Sequence, residues 1–153
     1  MKYSTICLFL LAAIFTSCSG IKTGVPTVKQ GVFGQVNWTE GNQMPSVGTT
    51  AKGNNGPVAR TLQIYELTNS MQVEGQSPLY TSVKAKLVAT VKSNESGYFQ
   101  HQLAPGKYSI FTVEEGGKLL ASLGDGDGNI NSFEVKTNEL TKFDININYR
   151  AAY

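Results

Sequence analysis

Near its C-terminal end the chain alternates apolar and polar side chains without interruption. Phe143, Ile145, Ile147 and Tyr149 are separated by Asp144, Asn146 and Asn148. Period two is the repeat of a β-strand with one face on a core and the other in water, and a helix does not satisfy it. The same signal recurs upstream. Residues 31–38 (GVFGQVNW) put Val32, Val36 and Trp38 on one face, and residues 60–67 (RTLQIYEL) do the same with Leu62 and Ile64. Shorter apolar runs follow at 86–93, 98–103, 107–114, 118–123 and 130–136.

Between these runs lie SNESG (93–97), APG (104–106), EEGG (114–117), GDGDGN (124–129) and TNE (137–139). Each holds residues that tolerate positive φ or cap a turn. Two longer breaks, 39–58 and 68–83, read as irregular, and the first is the longest in the chain. Short strands at this spacing, with 16 glycines, 10% aromatic residues and no long amphipathic helix, predict an all-β fold. The expected architecture is a single antiparallel β-sandwich of about 7–8 strands.

The first residues, MKYSTICLFLLAAIFTSCSG, precede that fold and have a different character. Lys2 is followed by an apolar run of about ten residues, 6–15, which suits a secretory signal and is too short to span a bilayer. Thr16 and Ser17 before Cys18 resemble the lipobox of bacterial lipoproteins, in which the cysteine becomes the lipidated N-terminus, although Phe15 stands where leucine is usual. Ordinary signal cleavage nearby, leaving Cys18 as a free thiol, is the alternative. Cys7 and Cys18 are the only cysteines, and Cys7 lies in the segment to be removed, so no internal disulfide remains to explain Cys18. The expected organisation is a signal peptide over 1–17, a lipidated cysteine with a flexible tether over 18–30, and one domain over 31–153. The tether lacks an acidic run after the cysteine, of the kind shared by surface-exported lipoproteins of Bacteroidetes-like bacteria. The expected location is therefore the cell envelope, anchored by lipid to the outer membrane and facing the periplasm.

Residues 88–121, VATVKSNESGYFQHQLAPGKYSIFTVEEGGKLLA, carry a more specific pattern. A strand leads to a polar turn ending at Gly97, then to the aromatic pair Tyr98-Phe99, a Pro105-Gly106 turn, and a strand containing Tyr108. This resembles the carboxypeptidase regulatory-like, or transthyretin-like (prealbumin-type), β-sandwich. GVFGQVNW is similar to the family's first strand. With its lipobox-like start, the chain resembles small lipoproteins of that type from Bacteroidetes-type bacteria. The resemblance implies a prealbumin-like sandwich that binds or spaces rather than catalyses, within a wider group sharing a carbohydrate-binding-like fold.

Few residues suggest chemistry. His101 is the only histidine and shares a strand face with Phe99 and Leu103, so it reads as a half-buried strand residue. Glu114 and Glu115 are neighbours along the chain and are expected to point apart in a solvated turn. No His-Glu-x-x-His, Gly-x-Ser-x-Gly or phosphate-loop motif occurs, and the expectation is a chain without enzymatic activity. The hexapeptide 124–129 offers Asp125, Asp127 and Asn129 at the first, third and fifth positions of a calcium loop. Ile130 and Lys136 then stand where that loop needs glycine and a closing glutamate. Calcium at these three residues and a plain strand connection both stay open, and no other cofactor is implied. Trp38, with Tyr65, Tyr80, Tyr98 and Tyr108, could form a platform for a sugar, although aromatics in strands more often belong to the core.

The 13 Lys and Arg residues are interspersed with 11 Asp and Glu, with no basic stripe for a nucleic acid. Two functions remain. The first is a lipid-anchored envelope module that binds or scaffolds another envelope protein through its loops or a strand edge. The alternative is a carbohydrate-binding module using exposed aromatics, with Trp38 as ligand-binding residue.

Overall fold

The computed structural model describes residues 25–44 and 54–153. The signal segment 1–17, Cys18 and the middle of the 39–58 break lie outside the described residues. The fold is all-β, in two sheets.

One long strand organises the first sheet. β1 (Gly31–Asn42) carries Val32, Gly34 and Val36 on its buried face. Along one side it pairs in parallel, first with β11 (Leu140–Lys142) and then with β12 (Ile145–Ala152). Along the other side it pairs antiparallel, first with β7 (Tyr98–Gln102) and then with β2 (Asn55–Pro57). β11 and β12 form one interrupted strand, broken where the Phe143 N–H donates to the Phe33 carbonyl and the Asp144 carboxylate accepts from the Gln35 N–H. The alternation of the C-terminal segment is present as expected: Ile145 and Ile147 are buried, while Asp144, Asn146 and Asn148 face water.

The second sheet runs β4 (Val73–Gln76), β5 (Leu79–Val83), β9 (Leu119–Leu120), β8 (Gly106–Val113), β3 (Thr61–Glu66) and β6 (Leu87–Lys92), with β10 (Ser132–Val135) also on β8. Between the sheets, Val32, Val36, Leu62, Ile64, Phe99, Ile110, Leu120, Ile145 and Ile147 form the main core. Phe111 points the opposite way from Ile110. It centres a smaller cluster with Tyr65, Tyr80, Leu119 and Ile130 on the other face of the second sheet.

The sandwich follows the expectation, and four details differ from it. The first sheet is mixed, because β1 runs parallel to the C-terminal strand. The strands are also shorter and more numerous than the apolar runs suggested, since KLLASL keeps only two residues in ladder pairing. The break at 68–83 contains a 3-10 turn, Ser70–Gln72, and a hairpin of β4 and β5. Residues 27–30, read as the end of a tether, lie against β7: the Gln100 side chain accepts from the Thr27 and Val28 N–H groups, and Gln30 donates to the Leu103 carbonyl.

Candidate functional site

Two cationic side chains converge on one ring at the far end of β1. Trp38 is half-buried there, and the Arg60 and Arg150 guanidinium carbons lie 5.2 and 5.8 Å from its ring centroid. Tyr149 meets the same indole edge-on, with ring centroids 5.6 Å apart. Stacked cations and edge contacts of this kind hold an aromatic side chain in one orientation.

Local structure explains how these residues meet. Between Trp38 and Glu40 the β1–β12 register slips by one residue, so that Asn148 and Tyr149 together oppose Thr39. Such a bulge re-aims the side chains that follow it, and here Tyr149 and Arg150 are delivered to the indole. Arg60 sits just before β3, anchored through its N–H to the Ser93 hydroxyl. The last turn comes from the residues after β8, where Glu114 opens a 3-10 turn over Glu115–Gly117.

Glu114 and Glu115 do point apart, yet only one of them is solvated. The Glu114 side chain is 3% exposed, and its Oε1 lies 3.3 Å from the Arg60 Nε. Its other oxygen accepts from the Tyr149 hydroxyl. Burial, and then the Glu114 charge, push the Tyr149 phenol upward. Glu115 is 81% exposed and pairs at 2.7 Å with Arg150, itself 46% exposed. That carboxylate raises the Arg150 guanidinium further above its ordinary value. Together with Glu40, Asn54, Asn55 and the end of β2, these side chains line an open cleft of about 720 Å³.

Of the residues singled out in the sequence, Trp38 and the neighbours Glu114 and Glu115 belong to this cleft. Tyr65, Tyr80 and Tyr108 are buried in the two cores, so no aromatic platform extends from Trp38 through them. His101 is half-buried opposite Val32, on the face it shares with Phe99. Arg60, Arg150 and Glu114 carry no sequence signal of their proximity, since they stand on three separate segments and only the sheet register unites them.

The hexapeptide 124–129 is an exposed strand connection, joining β9 to β10 with Asp125 and Asp127 facing water. β9 and β10 do not pair with each other. Both lie along the same edge of β8, and the loop is an excursion between them. Asn131 closes the gap: it is buried at φ 42, and its side chain donates to the Ile110 carbonyl and accepts from the Leu123 N–H. Within the loop, Asp125 Oδ1 accepts from the Asp127 and Asn129 N–H groups. Oδ2 accepts from the Asn129 side-chain amide and the Ser132 hydroxyl. These donors, Asn129 foremost, hold the Asp125 carboxyl down at about 2. A carboxylate has roughly four lone-pair sites, and here each meets a donor of the loop itself. Calcium at Asp125, Asp127 and Asn129 would have to displace them, and Asn129 turns its amide nitrogen, not its oxygen, toward Asp125. Among the described residues no group of three or more His, Cys, Asp or Glu side chains is arranged to hold a metal ion.

Fold and cleft together define a β-sandwich with a mixed-charge, aromatic-floored recess at one end. Comparison of the chain with family models, curated proteins and solved structures yields no match.

Proposed function

We propose that the protein is a non-enzymatic binding or scaffolding module of the bacterial cell envelope, tethered by a lipid on Cys18, that engages another envelope protein through the Trp38 cleft. The observation that carries the binding role is the cleft itself. Two arginines and an indole stand beside an open space of about 720 Å³, a size that suits a ligand or an inserted side chain. Binding sites commonly sit on loops held by a rigid scaffold, and this recess is bordered by the β1–β2 connection and the turn after β8. The envelope location rests on the lipobox-like sequence around Cys18, and the carboxypeptidase regulatory-like resemblance agrees with a binding role.

The glycan-binding alternative keeps one observation in its favour. Trp38 and Tyr149 are half-exposed aromatics in a single recess. Against it, the guanidinium groups over the indole occupy the ring surface that a sugar would stack on.

Photo-crosslinking in whole cells tests the reading, with the reactive side chain placed at Glu40 in the cleft or at Glu74 on the second sheet. A discrete envelope protein captured from Glu40 and not from Glu74 is the expected result. Capture from neither, together with saturable sugar binding that Trp38→Ala abolishes, would replace this reading with the glycan one. Cys18→Ser should move the protein from the membrane to the soluble fraction.

A further inference from the structure

The two arginines of the cleft are held in different ways, and the difference points to what binds there. Arg60 is fixed: its Nε faces a buried carboxylate, its Nη1 donates to the Ala59 carbonyl, and the guanidinium lies over Trp38. Arg150 also lies over Trp38 and over Tyr149, but its one ion pair among the described residues is the exposed one with Glu115. Exposed ion pairs contribute little to stability and are readily exchanged for another partner. A guanidinium has five N–H donors, and among the described residues Arg150 uses only Nη2 in a side-chain contact.

We propose that the cleft takes a glutamate or aspartate side chain of a partner polypeptide, which displaces Glu115 from Arg150. Glu115 is an internal stand-in for that carboxylate. This rests on the binding role of the cleft argued above and adds the chemistry of its ligand. Three observations support a polypeptide carboxylate. The group found on Arg150 is itself an amino-acid carboxylate on a short turn, Glu115–Gly117. Arg60 lies over the same indole, so a second positive charge stands near the site and favours an anionic ligand. The buried Glu114 is already paired within the wall by Arg60 and Tyr149, so it does not compete for Arg150. Glu40, opposite Arg150 in the strand register, adds a repelling charge, which favours modest affinity and strong dependence on salt.

The chain contains a single tryptophan, so Trp38 emission reports on this cleft alone. The full chain, kept soluble in mild detergent, is titrated with hexaglutamate, hexaglutamine and digalacturonate. Saturable change with hexaglutamate, absent with hexaglutamine and weakened by salt, is expected. Arg150→Gln should weaken hexaglutamate binding about tenfold or more, the loss of a charge-assisted contact. Glu115→Gln should tighten it, by up to about fivefold, because the competitor is removed. Both variants are exposed, and circular dichroism confirms their fold. A Glu115→Gln variant that binds more weakly would overturn the displacement, since a merely structural ion pair moves both variants the same way. Digalacturonate binding without hexaglutamate binding would overturn the polypeptide ligand in favour of an acidic sugar and leave the cleft as a binding site. No response to any of the three, combined with a partner captured from Glu40, would overturn the carboxylate chemistry while sparing the binding role.

Discussion

Asp125 shows what a single carboxylate does when every acceptor position is filled from its own loop. Donation from the Asn129 amide and N–H, with Ser132 and Asp127, lowers its carboxyl from 3.8 to about 2. The group binds its proton less tightly in the fold than in the unfolded chain, so it stabilises the loop fully above pH 3.8 and loses that contribution as pH falls through about 2. An NMR titration of the Asp125 carboxyl carbon should therefore show a midpoint near 2. A midpoint near 3.8 would mean that the turn does not form in solution and would return Asp125 to the pool of available metal ligands. Glu114 and Glu115 make the complementary point. Adjacent in sequence, they differ because one alternates inward onto Arg60 while the other remains on the turn.

At the scale of elements, the period-two runs located most strands, because alternation reflects burial on one face and burial is what a sandwich imposes. β1, β3, β6, β7, β8 and β12 appear close to where the apolar spacing puts them. Pairing was less legible. Nothing in the alternation of Ile145 and Ile147 says that their strand lies parallel to β1, since period two is the same for either direction. The β4–β5 hairpin escaped notice because β4 exposes three of its four residues and β5 fully buries only Tyr80, so neither shows a run of alternating burial. Of the cleft, Trp38 and the Glu114–Glu115 pair stood out in the sequence, whereas Arg60 and Arg150 are brought in by register and by a bulge, neither of which leaves a mark in composition. The turn at Gly97 was readable, and its constraint is measurable. Gly97 has φ 72 and a Cβ there would meet the Val36 carbonyl, whereas Gly116 has φ 71 with open space around it. Gly116→Ala should cost about 1 kcal/mol for the backbone conformation alone. Gly97→Ala should cost about 3 kcal/mol, because β1 must also give way. Urea unfolding of the two variants separates the terms, and equal losses would show that β1 and the turn are not in contact.

At the scale of the molecule, β1 connects the end where the chain enters the domain to the end that carries the cleft. The chain reaches β1 through residues 27–30, which Gln100 and Gln30 fasten to β7, so the domain has a defined point of departure from its tether. Trp38 lies seven positions beyond Gly31 on the same strand, about 23 Å at roughly 3.3 Å per residue. On the proposed Cys18 anchor, the cleft then faces away from the bilayer, toward proteins of the periplasm and not toward lipid headgroups. Energy transfer from Trp38 to acceptor-labelled lipids measures this directly in reconstituted vesicles. Weak transfer is expected for the whole protein. Gln100→Ala, which releases Thr27 and Val28, should loosen the domain on its tether and raise transfer, while leaving binding in the cleft unchanged because β7 meets β1 only over Gly31 to Gln35. Strong transfer in the unaltered protein would place the cleft against the membrane, and a partner reaching it from the periplasm would be ruled out.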